Sequence, residues 1–326
     1  MLALFLGEAT RPFHDGVPAL LATPWRVALA TDETAEAERR DLLASAAAVV
    51  AQHYGADLPP APGLRLLQVP GAGYDGVDFG AVLASANVCN VFEHEPAVAE
   101  FALLAMLEWC HQLGASDAAV RAGDWSGSPR FGAPPHEELH GKTLAVVGLG
   151  RIGLAVAARA AAFGMRVVAV NRTRHPPGPG VEVALGLDRL HGAVAEADFV
   201  VVACALTPET TGLIGDAALA AMSSTAVIVN VARGPVIDEA ALWQALIERR
   251  IGGAVIDTWW RYPASAQAGS DDGPYAWGTL PNVLLSPHVA GWTHGTITRR
   301  NRFVAANLDR LARGEPLQNV VRAGQA

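Results

Sequence analysis

The stretch Leu144-Ala145-Val146-Val147-Gly148-Leu149-Gly150-Arg151-Ile152-Gly153 decides the fold of this chain. An apolar run ends in G-x-G-x-x-G and opens at once into a second apolar run, Ile152 to Phe163, so the glycines stand between a strand and a helix. In that setting Gly148 allows the tight turn, Gly150 lets a pyrophosphate approach the backbone, and Gly153 lets helix and strand pack closely. The phosphates meet free N–H groups at the helix N-terminus, where Arg151 and Ile152 lie. The reading is a dinucleotide site. An Asp or Glu about 20 residues on would accept the adenine ribose hydroxyls, but the next strand ends Val170-Asn171-Arg172-Thr173-Arg174. With Asn171 in the acid's place no carboxylate repels a 2′-phosphate, and Arg172 and Arg174, with Thr173 between them, can bind one. NADP(H) is favoured; NAD(H) remains the alternative, with Asn171 on the ribose and the arginines facing water.

Outward from this motif, short apolar runs alternate with amphipathic stretches, the pattern of βαβ units on a mostly parallel sheet. Downstream strands are expected at Thr143–Val147, Val167–Val170, Phe199–Ala203, Ala226–Asn230, Gly253–Asp257 and Val283–Leu285, enough for a complete doubly wound domain. Upstream they are expected at Leu2–Leu6, Val27–Ala30, Ala48–Ala51 and Leu64–Val69. One long helix is expected from Ala97 to about Val120, with Leu103, Met106, Leu107 and Cys110 on its buried face, and a last helix from about Gly295 to Arg313. The fold class is α/β: two doubly wound parallel-sheet domains, a Rossmann cofactor domain over 101–288 and a flavodoxin-like substrate domain made from 1–100 and 289–326.

Composition narrows the function. Lys+Arg 24 against Asp+Glu 32 gives a net charge of −8, which repels nucleic acid and anionic membrane. The only lysine, Lys142, follows Gly141, but His136 stands where a P-loop needs its first glycine, so an NTPase is rejected. Cys89, Cys110 and Cys204 form no C-x-x-C pair, and no metal is expected. The opening Met1–Leu6 is apolar but short and lacks a basic flank, so it reads as a strand, and no run reaches the ~18–20 apolar residues of a membrane span. A cytoplasmic location is expected.

Polar residues cluster at strand ends, where open α/β sheets bind ligands: Asn230-Val231-Ala232-Arg233-Gly234, Asp257, and Ser286-Pro287-His288-Val289-Ala290-Gly291. An Arg can clamp a carboxylate with its fork, and a His can exchange a proton near neutral pH, as reduction of a 2-oxo acid beside a nicotinamide requires. Together with Glu138–Thr143, Leu206-Thr207-Pro208-Glu209-Thr210, Asp238-Glu239 and Thr293, these segments resemble the D-isomer-specific 2-hydroxyacid dehydrogenases of the glyoxylate/hydroxypyruvate reductase kind, over about residues 65 to 315. The resemblance implies that Arg233 binds the substrate carboxylate and that His288 exchanges the proton. It implies that backbone N–H groups of the loop Gly71-Ala72-Gly73-Tyr74 hold the same carboxylate. Leu206, Thr207, Pro208 and Gly291 would line the cofactor, Val231 and Ala232 lie beneath the nicotinamide, and Asp257 contact its carboxamide. A homodimer joined through the cofactor domains is also implied.

One position departs from the family. Its members usually pair Glu with the catalytic His; the segment Asp257-Thr258-Trp259-Trp260-Arg261-Tyr262-Pro263 puts Tyr262 there. Tyr262 as a direct partner of His288, substitution by Asp271 or Asp272, and weakened catalysis are the open readings. Retained Arg233 and His288 favour an enzyme over a cofactor-binding, corepressor-like scaffold, while the Trp259–Tyr262 segment resembles formate dehydrogenases and keeps one-carbon acid oxidation as a further alternative.

Overall fold

A computed structural model describes residues 1–172, 176–263 and 273–325. The chain divides into two compact units, Met1–Glu93 with Thr293–Ala326, and His94–Trp292. The divisions fall several residues from the expected 100/101 and 288/289. At the first, the helix Glu95–His111 belongs wholly to the second unit, where Val98, Ala102, Leu103 and Met106 pack with Val156, Ala157 and Ala160 of the fingerprint helix Arg151–Ala162. At the second, Ala290 is buried in that same core and Gly291 lies against His94 and Val98.

In the first unit β1 (Leu2–Leu6), β2 (Arg26–Ala30), β3 (Ala46–Ala51), β4 (Leu66–Gln68) and β5 (Asn87–Cys89) run parallel in the order β2-β1-β3-β4-β5. A last strand, Val320–Arg322, adds antiparallel beside β5. This is the flavodoxin-like order expected. Strands covered on both faces read as continuous apolar runs, and Ala3, Leu4 and Phe5 are fully buried. The helix His294–Arg313 lays Val304, Ala305, Leu308 and Leu311 into a core with Phe5, Phe13, Ala48 and Val50. Its Asn307 donates from Nδ2 to Gln68 Oε1 at 2.8 Å and to the Gln318 carbonyl at 3.1 Å. The two chain ends therefore build one domain.

The second unit carries β6 (Thr143–Val147), β7 (Arg166–Asn171), β8 (Val183–Gly186), β9 (Phe199–Val202), β10 (Val227–Asn230), β11 (Gly253–Ile256) and β12 (Val283–Leu285). They form an all-parallel sheet in the order β12-β11-β10-β9-β6-β7-β8, so the order reverses between β6 and β9. That is the doubly wound arrangement, with one strand more than the sequence suggests. The extra strand, β8, is half-buried along most of its length and so lacks an apolar run. The expected helix 97–120 is also corrected: it breaks at Gln112, which takes φ 49°, into Glu95–His111 and Leu113–Arg121. The second piece buries none of its residues, so no core face carries the first helix onward.

Burial raises the Cys110 thiol, pushes Cys204 up to about 11 and pushes Cys89 up to about 12. An unfolded thiol ionises near 8.5, and only the thiolate attacks a disulfide reagent. At pH 8 Ellman's reagent should leave the native protein nearly unreacted over minutes and titrate all three cysteines in guanidinium.

Candidate active site

At the fingerprint each glycine meets a different constraint. Gly148 takes φ 101°, and a Cβ there would lie 2.6 Å from the backbone of Cys204. A Cβ on Gly153 would come within 2.0 Å of the Gly148 carbonyl oxygen. Gly150, the N-cap of the helix Arg151–Ala162, would meet nothing within 4 Å. A side chain is thus excluded by packing at two positions, and at the third it would fill open space beside the helix N-terminus. This cradle fits a dinucleotide pyrophosphate. The Asn171 side chain turns toward the same loop, its Oδ1 accepting from the Leu149 N–H at 3.4 Å, and Arg172 is exposed. Thr173 and Arg174 lie outside the described residues. After β9, Thr210 Oγ1 accepts from the Thr207 N–H at 2.7 Å and donates to the Ala205 carbonyl at 2.7 Å, which shapes the turn bearing Leu206, Thr207 and Pro208.

Three neighbouring strands, β10, β11 and β12, deliver the polar residues from their C-terminal ends. Buried Asn230 staples the first turn, accepting from the Ala232 N–H at 3.1 Å through Oδ1 and donating to the Arg233 carbonyl at 3.1 Å through Nδ2. Val231 and Ala232 are buried, while Arg233 is half-buried, with Nη1 donating to the Ala232 carbonyl at 2.8 Å. Asp257, 1% exposed, accepts at Oδ1 from the Ser286 hydroxyl (2.7 Å) and the Val289 N–H (2.8 Å), and at Oδ2 from the Ala290 N–H (3.1 Å). The residue inside that embrace, His288, takes φ 59°, a left-handed conformation that a side chain tolerates only when its surroundings impose it.

The segment after Asp257 runs between the other two turns. Trp259 Nε1 donates to the Ser286 carbonyl at 2.9 Å and Trp260 Nε1 to the Ile237 carbonyl at 2.7 Å. Gly234 permits this course: a Cβ there would lie 2.3 Å from the Trp259 carbonyl carbon. Tyr262 then arrives with its hydroxyl 2.7 Å from His288 Nδ1, the two rings stacked at 5.6 Å between centroids. Tyr262 and His288 are brought together; Asp271 and Asp272 lie outside the described residues.

In the first unit the loop 71–74 follows β4. Its carbonyls at Gly71, Ala72 and Gly73 accept from the Val91 N–H at 3.0 Å, Asn90 Nδ2 at 2.8 Å and Gln52 Nε2 at 3.4 Å. A trans peptide points its C=O and N–H in opposite directions, so the N–H groups of Ala72, Gly73 and Tyr74 face away from these tethers. Sequence reasoning missed Gln52 and Asn90, as it missed the roles of Asn230 and the two indole N–H groups. Each acts through a partner remote in sequence or through backbone atoms, which leave no motif.

A model of the D-isomer specific 2-hydroxyacid dehydrogenase family, NAD binding domain, matches residues 103–290. This chain belongs to that family. It is 36% identical over 265 residues to the glyoxylate reductase of Thermococcus gammatolerans, covering 78% of this chain and 75% of that one. It is 34% identical over 273 residues to the D-3-phosphoglycerate dehydrogenase of Mycobacterium bovis, covering 82% of this chain but 48% of that one. The solved structure of the NADPH-dependent glyoxylate/hydroxypyruvate reductase from Sinorhizobium meliloti superposes with a TM-score of 0.78 at 27% identity, covering 98% of this chain and 97% of that one. The family member described here is therefore an oxidoreductase that moves hydride between a nicotinamide cofactor and a small 2-hydroxy acid. Neither the scaffold nor the one-carbon acid alternative is favoured by these matches.

Asp257→Asn replaces one acceptor oxygen with an NH2 that faces donors. Leaving a buried N–H unpaired costs ~1–3 kcal/mol, so the variant should unfold at lower urea and lose turnover. Unchanged urea midpoint and turnover would show that the His288 turn stands without it.

Proposed function

We propose that this protein reduces small 2-oxo acids of the glyoxylate and hydroxypyruvate class to D-2-hydroxy acids, with NADP(H) favoured over NAD(H). The observation that carries the reading is the convergence of Arg233, Asp257 and the Tyr262–His288 pair on the ends of three adjacent strands. The glyoxylate reductase and glyoxylate/hydroxypyruvate reductase relatives support the substrate class. Asn171 in place of an acid, with Arg172 exposed next to it, supports a 2′-phosphate.

The cofactor is assigned to Gly148, Gly150, Arg151, Ile152, Gly153, Asn171 and Arg172, with Leu206, Thr207, Pro208 and Gly291 lining it and Val231 and Ala232 beneath the nicotinamide. Bound there, the reduced nicotinamide supplies a hydride to the 2-carbon. Arg233 offers a planar fork to the substrate carboxylate, and the amides of the 71–74 loop keep the substrate-binding role expected of them. His288 engages Tyr262 through Nδ1, so proton exchange with the reacting oxygen falls to Nε2. Asp257 holds the turn that aims the imidazole. We extend the reading to a homodimer joined through the second unit, where Leu104, Leu113, Trp125 and Phe131 are 59–70% exposed, apolar surface for a second copy to cover. A cytoplasmic location fits the three free thiols.

Oxidation of NADPH and NADH, followed by absorbance with glyoxylate, hydroxypyruvate and formate-side controls, tests the assignment. NADPH should be consumed with the first two acids, and His288→Ala should lower turnover ~10²–10⁴-fold with cofactor affinity little changed. Full turnover in that variant removes His288 from the chemistry.

A second test concerns charge. Reduction requires protonated His288, and a neutral phenol lacks the negative charge with which a carboxylate would stabilise an imidazolium. Reduction should therefore fade as the pH rises, and Tyr262→Glu should carry it to higher pH. A flat profile that does not move in the variant assigns the role to an acid such as Asp271 or Asp272.

A further inference from the structure

Tyr262 is 53% exposed, and beside its stacking on His288 its hydroxyl accepts a long bond from the Trp259 N–H at 3.5 Å. The residues just before it add to what fixes its place. The indole bonds of Trp259 to Ser286 and of Trp260 to Ile237 settle the course of the chain as far as residue 260. The next residue, Arg261, is itself exposed, but its Nη2 lies 2.6 Å from both carboxylate oxygens of Glu239. Glu239 is the better fixed of the pair, with its side chain 14% exposed against 51% for Arg261. It sits in the first turn of the helix Glu239–Ile247, whose cap, Asp238, accepts from the Ala241 N–H at 2.9 Å. The ion pair is thus the last fixed point on the chain before the phenol, and its anchored end belongs to a helix.

From this geometry we infer that Glu239 is a positioning residue for the Tyr262–His288 pair, acting through Arg261. The inference rests on the reading of Tyr262 as the working partner of His288. With its arginine half exposed, the ion pair is open to screening by solvent and adds little to the stability of the fold. Its effect on a neighbour's position is another matter, because proton transfer is sensitive to misplacement on the ångström scale. Removing the Glu239 charge frees Arg261, lets residues 261–262 swing from the anchor at Trp260, and lengthens the hydrogen bond to Nδ1. His288 then samples ring orientations in which Nε2 is not aimed at the substrate. Asp238 cannot take over, since its carboxylate already caps the helix.

The test is a double-mutant cycle on the full-length protein, joined to the imidazole ¹⁵N spectrum of His288 recorded without cofactor. Glu239→Gln should slow reduction by about fivefold or more at unchanged KM for NADPH, and Arg261→Ala, which reaches the same link from its exposed end, should do likewise. In a Tyr262→Phe background the Glu239→Gln change should cost less than about twofold, because the group it positions is gone. The His288 Nδ1 signal should move in the same direction in Glu239→Gln as in Tyr262→Phe. Equal losses in both backgrounds, or a His288 spectrum indifferent to Glu239→Gln, overturn the inference. If Tyr262→Phe itself leaves both rate and spectrum unchanged, the Tyr262 reading has failed, and the positioning role falls with it.

Discussion

The carboxylate of Asp257, buried at the end of β11, accepts hydrogen bonds from Ser286, Val289 and Ala290, all of them on the turn that follows β12. That one group lets His288 stand at φ 59°. Left alone, a non-glycine residue there costs ~1–3 kcal/mol, and hydrogen bonds to a charged acceptor contribute ~1.5–3 kcal/mol each, enough to offset it. The imidazole is carried outward while the backbone on either side is pinned inward. The buried charge is tolerated because it is shared among donors, in keeping with the rule that a charge leaves water only when it is hydrogen-bonded.

The same constraint spreads to the neighbouring turns. Trp259 ties to the carbonyl of Ser286, whose hydroxyl is on Asp257, and Trp260 ties to Ile237, just past the Arg233 turn. Gly234 lies against the backbone of Trp259 and Trp260, so the Arg233 turn and the strap that carries Tyr262 cannot shift independently. The turns that carry Arg233 and His288 are therefore set by one assembly of contacts. The sheet order makes this possible, since β10, β11 and β12 are adjacent and release their chains side by side.

How far the amino-acid sequence reveals this follows from which contacts are local. The fingerprint was legible because its requirements fall within six consecutive residues and only glycine meets them at Gly148 and Gly153. Tyr262 was legible by its spacing from Asp257, and the structure sets it at Nδ1 of His288. The strands β6 and β12 form over the residues read as apolar runs, whereas β5, three residues long, and the half-buried β8 carry no such signal. The break at Gln112 was hidden because alanine and leucine continue beyond it, and propensity alone does not tell whether a core exists for them to meet. The Glu239–Arg261 pair, the indole anchors and the Asn90 and Gln52 tethers join residues about 20 or more apart through atoms that any similar side chain carries. Nothing short of the fold reveals them.

A phenol at position 262 keeps one property of a carboxylate and gives up another. It still reaches Nδ1 at hydrogen-bond distance, so it can fix the orientation of the ring and the identity of the nitrogen that faces outward. A neutral phenol carries no charge, and each pKa unit by which a carboxylate would favour imidazolium is worth about 1.4 kcal/mol of attraction that a phenol does not supply. Orientation serves both directions of a hydride transfer equally, because the proton moves along the same line whichever way it goes. Charge does not: it holds the proton on the ring, which helps the step that gives it away by keeping the donor loaded and opposes the step that must receive it on a free base. Exchanging carboxylate for phenol therefore separates the two properties: a phenol at hydrogen-bond distance aligns the ring without adding a charge that holds the proton on it.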